Sequence, residues 1–161
     1  MSRWTIASMS QADAEAVATW HYPGEYAFYD ADFIPAELAE LVGPQLRGDG
    51  LFAARAPGGE LDGFVEVKLK DGGRVEIGLG LRPDLSGRGL GVSFTAAAIE
   101  LARGRGADRI TLAVAAFNLR ATRVYERAGF IETGRHTRHI AGLDWEFVDM
   151  ELASEPRTGG A

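Results

Sequence analysis

The feature that most constrains this chain is the run Arg82-Pro83-Asp84-Leu85-Ser86-Gly87-Arg88-Gly89-Leu90-Gly91, where three alternate glycines separate a β-like segment from a long alanine-rich one. Glycine reaches backbone conformations that strain any residue with a Cβ, so such a run turns sharply and frees its N–H groups to face a ligand. A helix starting directly afterwards adds unpaired first-turn amides and the positive end of its dipole. Together these make an anion cradle, and a diphosphate is its natural guest. Two better-known glycine loops fit poorly. A dinucleotide fold calls for Gly-x-Gly-x-x-Gly early in a βαβ unit, and a P-loop ends on Gly-Lys-Ser/Thr. Here the spacing is Gly-x-Gly-x-Gly past the middle of the chain, and a plain tight turn is the alternative for the segment taken alone.

The segment has a companion some thirty residues later, Asn118-Leu119-Arg120-Ala121-Thr122-Arg123-Val124-Tyr125-Glu126-Arg127-Ala128-Gly129-Phe130. The pair resembles the two signature motifs of the GCN5-related N-acetyltransferase (GNAT) superfamily, which moves acetyl from acetyl-CoA to an amine. Ser86-Gly87-Arg88-Gly89-Leu90-Gly91 looks like that family's Gln/Arg-x-x-Gly-x-Gly/Ala pyrophosphate loop, and the second segment like its Asn…Tyr-Glu-Lys/Arg-x-Gly-Phe stretch. Ser86 stands where the family usually carries Gln or Arg, which makes any side-chain help there shorter and uncharged.

The whole chain narrows the class. Its 161 residues, 46% hydrophobic and 25% charged, have ordinary globular composition for one domain, expected over residues 1–152 with a disordered tail at 153–161. No apolar stretch approaches the roughly 20 residues that span a bilayer, and the first residues lack a signal-peptide core, so no membrane partner and a cytoplasmic location are the expectation. The absence of cysteine excludes disulfides, a thiol nucleophile and cysteine-built zinc sites. A net charge of −6 argues against a general nucleic-acid binder and suits a cationic partner, though solubility explains it equally well.

Along the chain, Trp4 to Ala7 reads as a strand, and Ser10 with Asp13 as a capping-box start to a helix running to about Trp20. His21 to Asp30 breaks periodicity with Pro and Gly yet is rich in aromatics, as an ordered loop would be; Pro35 opens a second helix to about Leu46, which Pro44 should end or bend. Leu51–Arg55, Phe64–Lys70 and Arg74–Leu81 read as an antiparallel meander. A helix after Gly89, a strand from Arg109 to Ala115 reached by a crossover, a short helix from Leu119 to Ala128 and strands near Phe130–Ile140 and Trp145–Leu152 follow. The class is α/β (α+β). The resemblance implies the GNAT fold: a mixed, mostly antiparallel sheet of six to seven strands with a central splayed parallel pair and about four helices.

On Val75-Glu76-Ile77-Gly78-Leu79-Gly80-Leu81 the odd positions are apolar and the even ones Glu, Gly, Gly, so one face is core and the other bare. Glu76 on the bare face is a candidate general base, its alternative a solvated residue or ion-pair partner of Arg74 or Lys68. The resemblance implies that backbone groups of Leu79, Gly80 and Leu81 meet the pantetheine arm, that Ser86, Gly87, Arg88, Gly89, Leu90 and Gly91 hold the pyrophosphate, and that Tyr125 protonates the departing thiolate. Asn118, which shares a helix side with Tyr125, is a cofactor contact or a helix cap. Tyr22, Tyr26 and Tyr29, with Glu25 and Asp30, are candidates for a π-rich anionic acceptor wall. His136 and His139 lack a third ligand in sequence, so no metal is expected.

The implied activity is direct acetyl transfer from acetyl-CoA, as co-substrate, to a primary amine, with a small-molecule acceptor favoured. A protein N-terminal or lysine acceptor, a non-catalytic CoA-binding module and a general nucleotide-binding domain are the alternatives. Dimers are common in the family, and the closing strands offer edges for a homodimer.

Overall fold

The computed structural model describes residues 3–153, so all but the first residue of the tail expected at 153–161 lies outside the described residues. Ser10 Oγ accepts the Asp13 N–H while the Asp13 carboxylate accepts the Ser10 N–H, the reciprocal cap that the spacing foretells. It opens α1 (Gln11–Ala18), which stops before Trp20, its end marked by the Thr19 hydroxyl turning back to the Ala16 carbonyl. The aromatic segment forms a 3-10 helix at Gly24–Tyr29, and α2 (Pro35–Val42) ends at Gly43, short of the expected Leu46. A residue before proline is pushed out of the helical region, and Gly43 is indeed extended ahead of Pro44.

Seven strands follow the order β1-β2-β3-β4-β5-β7-β6, with β1 (Thr5–Ser8), β2 (Leu51–Arg55), β3 (Leu61–Leu69), β4 (Arg74–Leu81), β5 (Arg109–Ala115), β6 (Phe130–Ile140) and β7 (Leu143–Leu152). All neighbours are antiparallel except β4 and β5, which are joined through α3 (Gly91–Gly104) and run parallel. That pair is the break in the sheet: it matches only Arg74↔Arg109, Val75↔Ile110 and Glu76↔Thr111 before the strands part. The remaining helix, α4 (Leu119–Arg127), follows β5.

The largest core lies between the sheet and α3, where Phe94, Ala98 and Ile99 meet Val65, Val75, Ile77 and Leu112. Phe94 is buried, a burial that stabilises by roughly 1.5–3 kcal/mol, and Trp4 packs edge-on against it at 5.0 Å. Trp4 Nε1 also donates to buried Asp62 at 3.0 Å. On the opposite face α1 and α2 cover β2 and β3 with Met9, Val17 and Leu41 around Phe64. A third cluster, Phe28, Phe33, Phe117, Trp145 and Phe147, seats the aromatic segment on the far end of β5 and β7. Among the described residues no helix is long and apolar enough to cross a membrane.

Candidate active site

Hydrogen-bond parity shows what the parted strands offer. The Lys70 N–H donates to the Arg74 carbonyl at 2.8 Å and the Arg82 N–H to the Asp62 carbonyl at 2.7 Å, one bond beyond each end of the matched β3–β4 register. Antiparallel ladders bond alternate residues, so on β4 the even-numbered residues serve β3 and Leu79 and Leu81 turn their N–H and C=O toward β5. On the other side the Ala116 N–H donates to the Glu146 carbonyl at 2.8 Å, in register with the β5–β7 pairs. By the same parity, Ala113 and Ala115 of β5 turn toward β4. Beyond Glu76 and Thr111 these backbone groups face one another across an opening gap.

A cavity of about 1100 Å³ runs through that gap from one sheet face to the other. It is lined by Glu37, Glu66 and Lys68 on the α2 side and by Ser86, Gly87, Gly89, Leu90, Gly91 and Arg120 on the α3 side. Gly87 and Gly89 both adopt φ of +77°, which a side chain would strain. Among the described residues none accepts a hydrogen bond from the backbone N–H groups of residues 87–93. Those amides and the start of α3 are thus left without a protein acceptor, as an anion cradle requires. Gly91 serves differently: a Cβ there would lie 2.9 Å from Val124 Cγ1, so its bareness lets α3 and α4 close on each other.

Helix α4 presents Asn118 and Tyr125 to the same cavity. Asn118 is buried, and its Oδ1 accepts the Ala121 N–H, capping the helix. Its Nδ2 donates to Tyr29 Oη at 3.2 Å. Both side-chain polar atoms are therefore engaged within the protein. Tyr125 packs edge-on against Phe130 at 6.1 Å, and burial pushes its phenol well above the usual range, so the group is protonated at neutral pH. Tyr22, Tyr26 and Tyr29 all line the cavity. The Tyr22 hydroxyl reaches the Leu81 carbonyl, and burial raises its pKa too.

Gly80 lines the cavity too, while other expected residues are placed elsewhere. Gly80 shows the face of β4 to be covered rather than bare there, because the Phe64 ring occupies the space its Cβ would take. Its parity also sends its N–H and C=O to β3, leaving Leu79 and Leu81 as the residues facing the gap. Arg88 is exposed and absent from the cavity lining. Flanked by two turned glycines, it is carried outward, and Arg120 of α4 takes its place: its Nη1 lies 3.5 Å from where a Gly87 Cβ would stand, and its guanidinium sits 4.6 Å from the Tyr26 ring centroid. Glu25 lies outside the lining as well.

Glu76 lines not the large cavity but a second one of about 410 Å³, with Arg74, Arg109, Thr111 and Asp149. It stands opposite Lys68 in the β3–β4 register, and Lys68 is ion-paired at 2.9 Å with Glu66. The Glu66 hydrogen bond above all, then the charges of Glu66, Glu76 and Glu37, hold the Lys68 ammonium above its ordinary pKa against desolvation. Glu66, opposite Gly78 on β3, lines the large cavity, as do Asp30, Glu37 and Glu40. The alternation pattern of β3 carried the signal for it, since Glu66 shares a face with Phe64 and Lys68.

His136 pairs with Asp149 at 3.0 Å and His139 with Asp144 at 2.8 Å, both on the surface. Among the described residues, His21, Asp30 and Asp32 form a group with metal-ligand spacing, which sequence reading missed. Asp30 is already engaged there, with one oxygen facing His21 Nδ1 and the other accepting the Tyr22 N–H.

The chain was compared with known proteins. It is 43% identical over 81 residues to a mycothiol acetyltransferase of Clavibacter sepedonicus, an alignment covering 50% of this chain and 26% of that one, so it spans about a quarter of that relative's length. Its fold matches a GNAT-family acetyltransferase of Bacillus anthracis with TM-score 0.76 at 19% identity, covering 93% of this chain and 94% of the other. It also matches the Vibrio cholerae spermidine N-acetyltransferase solved in complex with CoA and spermine, with TM-score 0.71 at 20% identity over 93% and 95% of the two chains. The family model for GNAT acetyltransferases aligns with residues 13–130, from the cap of α1 through the parted strands to the end of the Asn118–Phe130 motif. The chain belongs to the acetyltransferase (GNAT) family.

Proposed function

We propose that this chain transfers acetyl from acetyl-CoA directly to the primary amine of a small molecule. The observation that carries this reading is the gap between β4 and β5, where the backbone groups of Leu79 and the N–H of Leu81 turn toward the cavity beside the glycine cradle, the Leu81 carbonyl being held by Tyr22. An extended ligand with amides along one arm and a diphosphate at its other end matches both features. In this reading residues 87–93 hold the diphosphate through backbone N–H groups with Arg120 alongside, and Leu79 and Leu81 pair with the arm. The thioester is then positioned where the strands part.

The amine must lose a proton as it attacks the acetyl carbon, and a carboxylate takes it. We assign that step to Glu66, which lines the cavity opposite Gly78 and is ion-paired with Lys68. Glu76, next along the same face at the last β4–β5 pair, is the second reading, reaching the site through water. When the intermediate collapses, the carbon–sulfur bond breaks, its electron pair stays on sulfur, and Tyr125 supplies the proton. Backbone N–H groups along the gap polarise the carbonyl before that. With no cysteine in the chain, no thiol carries an acyl-enzyme.

The aromatic cluster of Phe28, Phe33 and Trp145 fills one end of the acceptor side, which favours a compact acceptor over a long peptide. The relatives named above are called after small molecules, mycothiol and spermidine. The test is thiol release from acetyl-CoA with a panel of small amines and a matched panel of peptides, the products identified by mass. Acetylation of small amines is expected; acetylation of peptides alone would overturn the acceptor assignment, and CoA binding with turnover on neither panel would reduce the chain to a binding module.

A further inference from the structure

Strand β6 carries four basic side chains in a row of five residues, Arg135, His136, Arg138 and His139. Three are answered by carboxylates: Arg135 by Glu132 and Glu146, His136 by Asp149, and His139 by Asp144. Arg138 has no carboxylate partner among the described residues and lines the large cavity instead. Its guanidinium lies over the Phe147 ring, 5.3 Å from the centroid. Such stacking spends none of the in-plane N–H donors, so Arg138 is oriented with its hydrogen-bonding edge unused. Phe147 is the register partner of Ala115, whose backbone turns into the gap, and Arg138 pairs with Trp145 on the same sheet face. Antiparallel partners lie about 5 Å apart, so the guanidinium stands on the order of 10 Å from the β5 backbone beside the gap. This face is the one opposite α3, because Leu112 and Val114 of β5 point into the α3 core and Ala115 does not. Arg138 is therefore separate from Arg120, Arg123 and Arg127, the α4 arginines that line the cavity on the cradle side.

We propose that Arg138 anchors an anionic group of the acceptor, which makes the acceptor an amine that also carries a carboxylate, an amino acid or a small molecule containing one. This deepens the reading of acetyl transfer to a small amine and rests on it. A carboxylate presents two oxygens to the guanidinium fork, a match that a plain amine does not offer. The two banks of the gap then carry opposite charges, Glu66 on β3 for the amine and Arg138 on β6 for the acid. A guanidinium in the wall also repels a second ammonium, so Arg138 selects against plain diamines of the same length.

The test measures kcat/KM at saturating acetyl-CoA for three matched sets: the common L-amino acids with the series from glycine to γ-aminobutyrate, their carboxamides, and the amines that lack the carboxyl group. Wild type should acetylate its preferred amino acid about tenfold better than the matching carboxamide. Arg138→Gln should lower kcat/KM for that amino acid about tenfold, through KM, and for its carboxamide by less than about twofold, as loss of one charge-assisted pair would. Arg138→Lys keeps the charge without the fork and should fall between the two. If plain amines or carboxamides are acetylated as well as the amino acids, or Arg138→Gln leaves the ratio unchanged, the carboxylate assignment is wrong while the transfer reading stands. Equal losses on all three sets reduce Arg138 to packing on Phe147 and overturn the proposal as well. Should calorimetry show CoA bound while no set yields product, the transfer reading fails, and this one with it.

Discussion

The Tyr22 hydroxyl donates to the Leu81 carbonyl at 2.7 Å, fastening the start of the aromatic segment to the last residue of β4. Seven residues later Tyr29 is fastened to Asn118 beyond the end of β5. One short segment thus bridges both lips of the gap. Replacing Tyr22 with Phe removes a partly buried hydrogen bond worth about 1 kcal/mol. Amide exchange measured by mass spectrometry should rise in residues 21–30, and KM for the acceptor should rise more than KM for acetyl-CoA.

Tyr125→Phe separates chemistry from binding. If Tyr125 gives the thiolate its proton, the substitution should lower kcat by about 10²-fold while leaving CoA affinity within about twofold. Steady-state kinetics alongside calorimetry with CoA checks both halves.

The two carboxylates near the parting of the strands are distinguished by Glu66→Gln and Glu76→Gln. If Glu66 accepts the amine's proton directly, its substitution should lower kcat/KM for the amine by about 10²-fold near neutral pH, and Glu76→Gln by less than about fivefold. The reverse ranking would transfer the role to Glu76 working through water.

Arg120 stands beside the glycine turn, and Arg88 is exposed outside the cavity lining. Arg120→Ala should weaken CoA binding by about tenfold, the size of one charge-assisted hydrogen bond, whereas Arg88→Ala should change it by less than about twofold. The Arg120 contribution should shrink as salt is raised in the titration.

Arg55 clamps Asp13 from 42 residues away, and that hydrogen bond, with the Ser10 cap, lowers the Asp13 pKa to about 2 despite burial. Because the folded value lies below the unfolded one, the stabilisation is complete above roughly pH 4 and is lost as pH falls through about 2. Asp13→Asn should cost about 1–2 kcal/mol at neutral pH and flatten the acid limb of a denaturation series between those values.

Local chemistry explains what was readable beforehand. Glycine and proline punctuation set the bounds of β2, β4, β5 and β6, and the Ser10–Asp13 spacing set the start of α1, all decided by near neighbours in the chain. The start of β3 was missed because Leu61-Asp62-Gly63 shows no alternation. Asp62 is buried there against Trp4, 58 residues away, which donates to it, and Arg3. The same limit explains Arg88 and Arg120. Adjacency to the glycines favoured Arg88, whereas α4 delivers Arg120 to the turn through packing that no short window contains. For Glu76, parity gave the correct face of β4, but the point where pairing with β5 stops decides which cavity the side chain meets.

The early parting of β4 and β5 leaves two inner strands of a seven-stranded sheet unpaired with each other beyond Glu76 and Thr111. Interior strands ordinarily protect one another from stray pairing, and here that protection is withheld over a short stretch. A bound arm bearing amides would act as a surrogate strand, making the sheet continuous only when loaded. Empty and filled forms should accordingly differ most in the slow opening of the sheet's centre rather than at its rims, with the co-substrate serving as a structural member of the protein it reacts in.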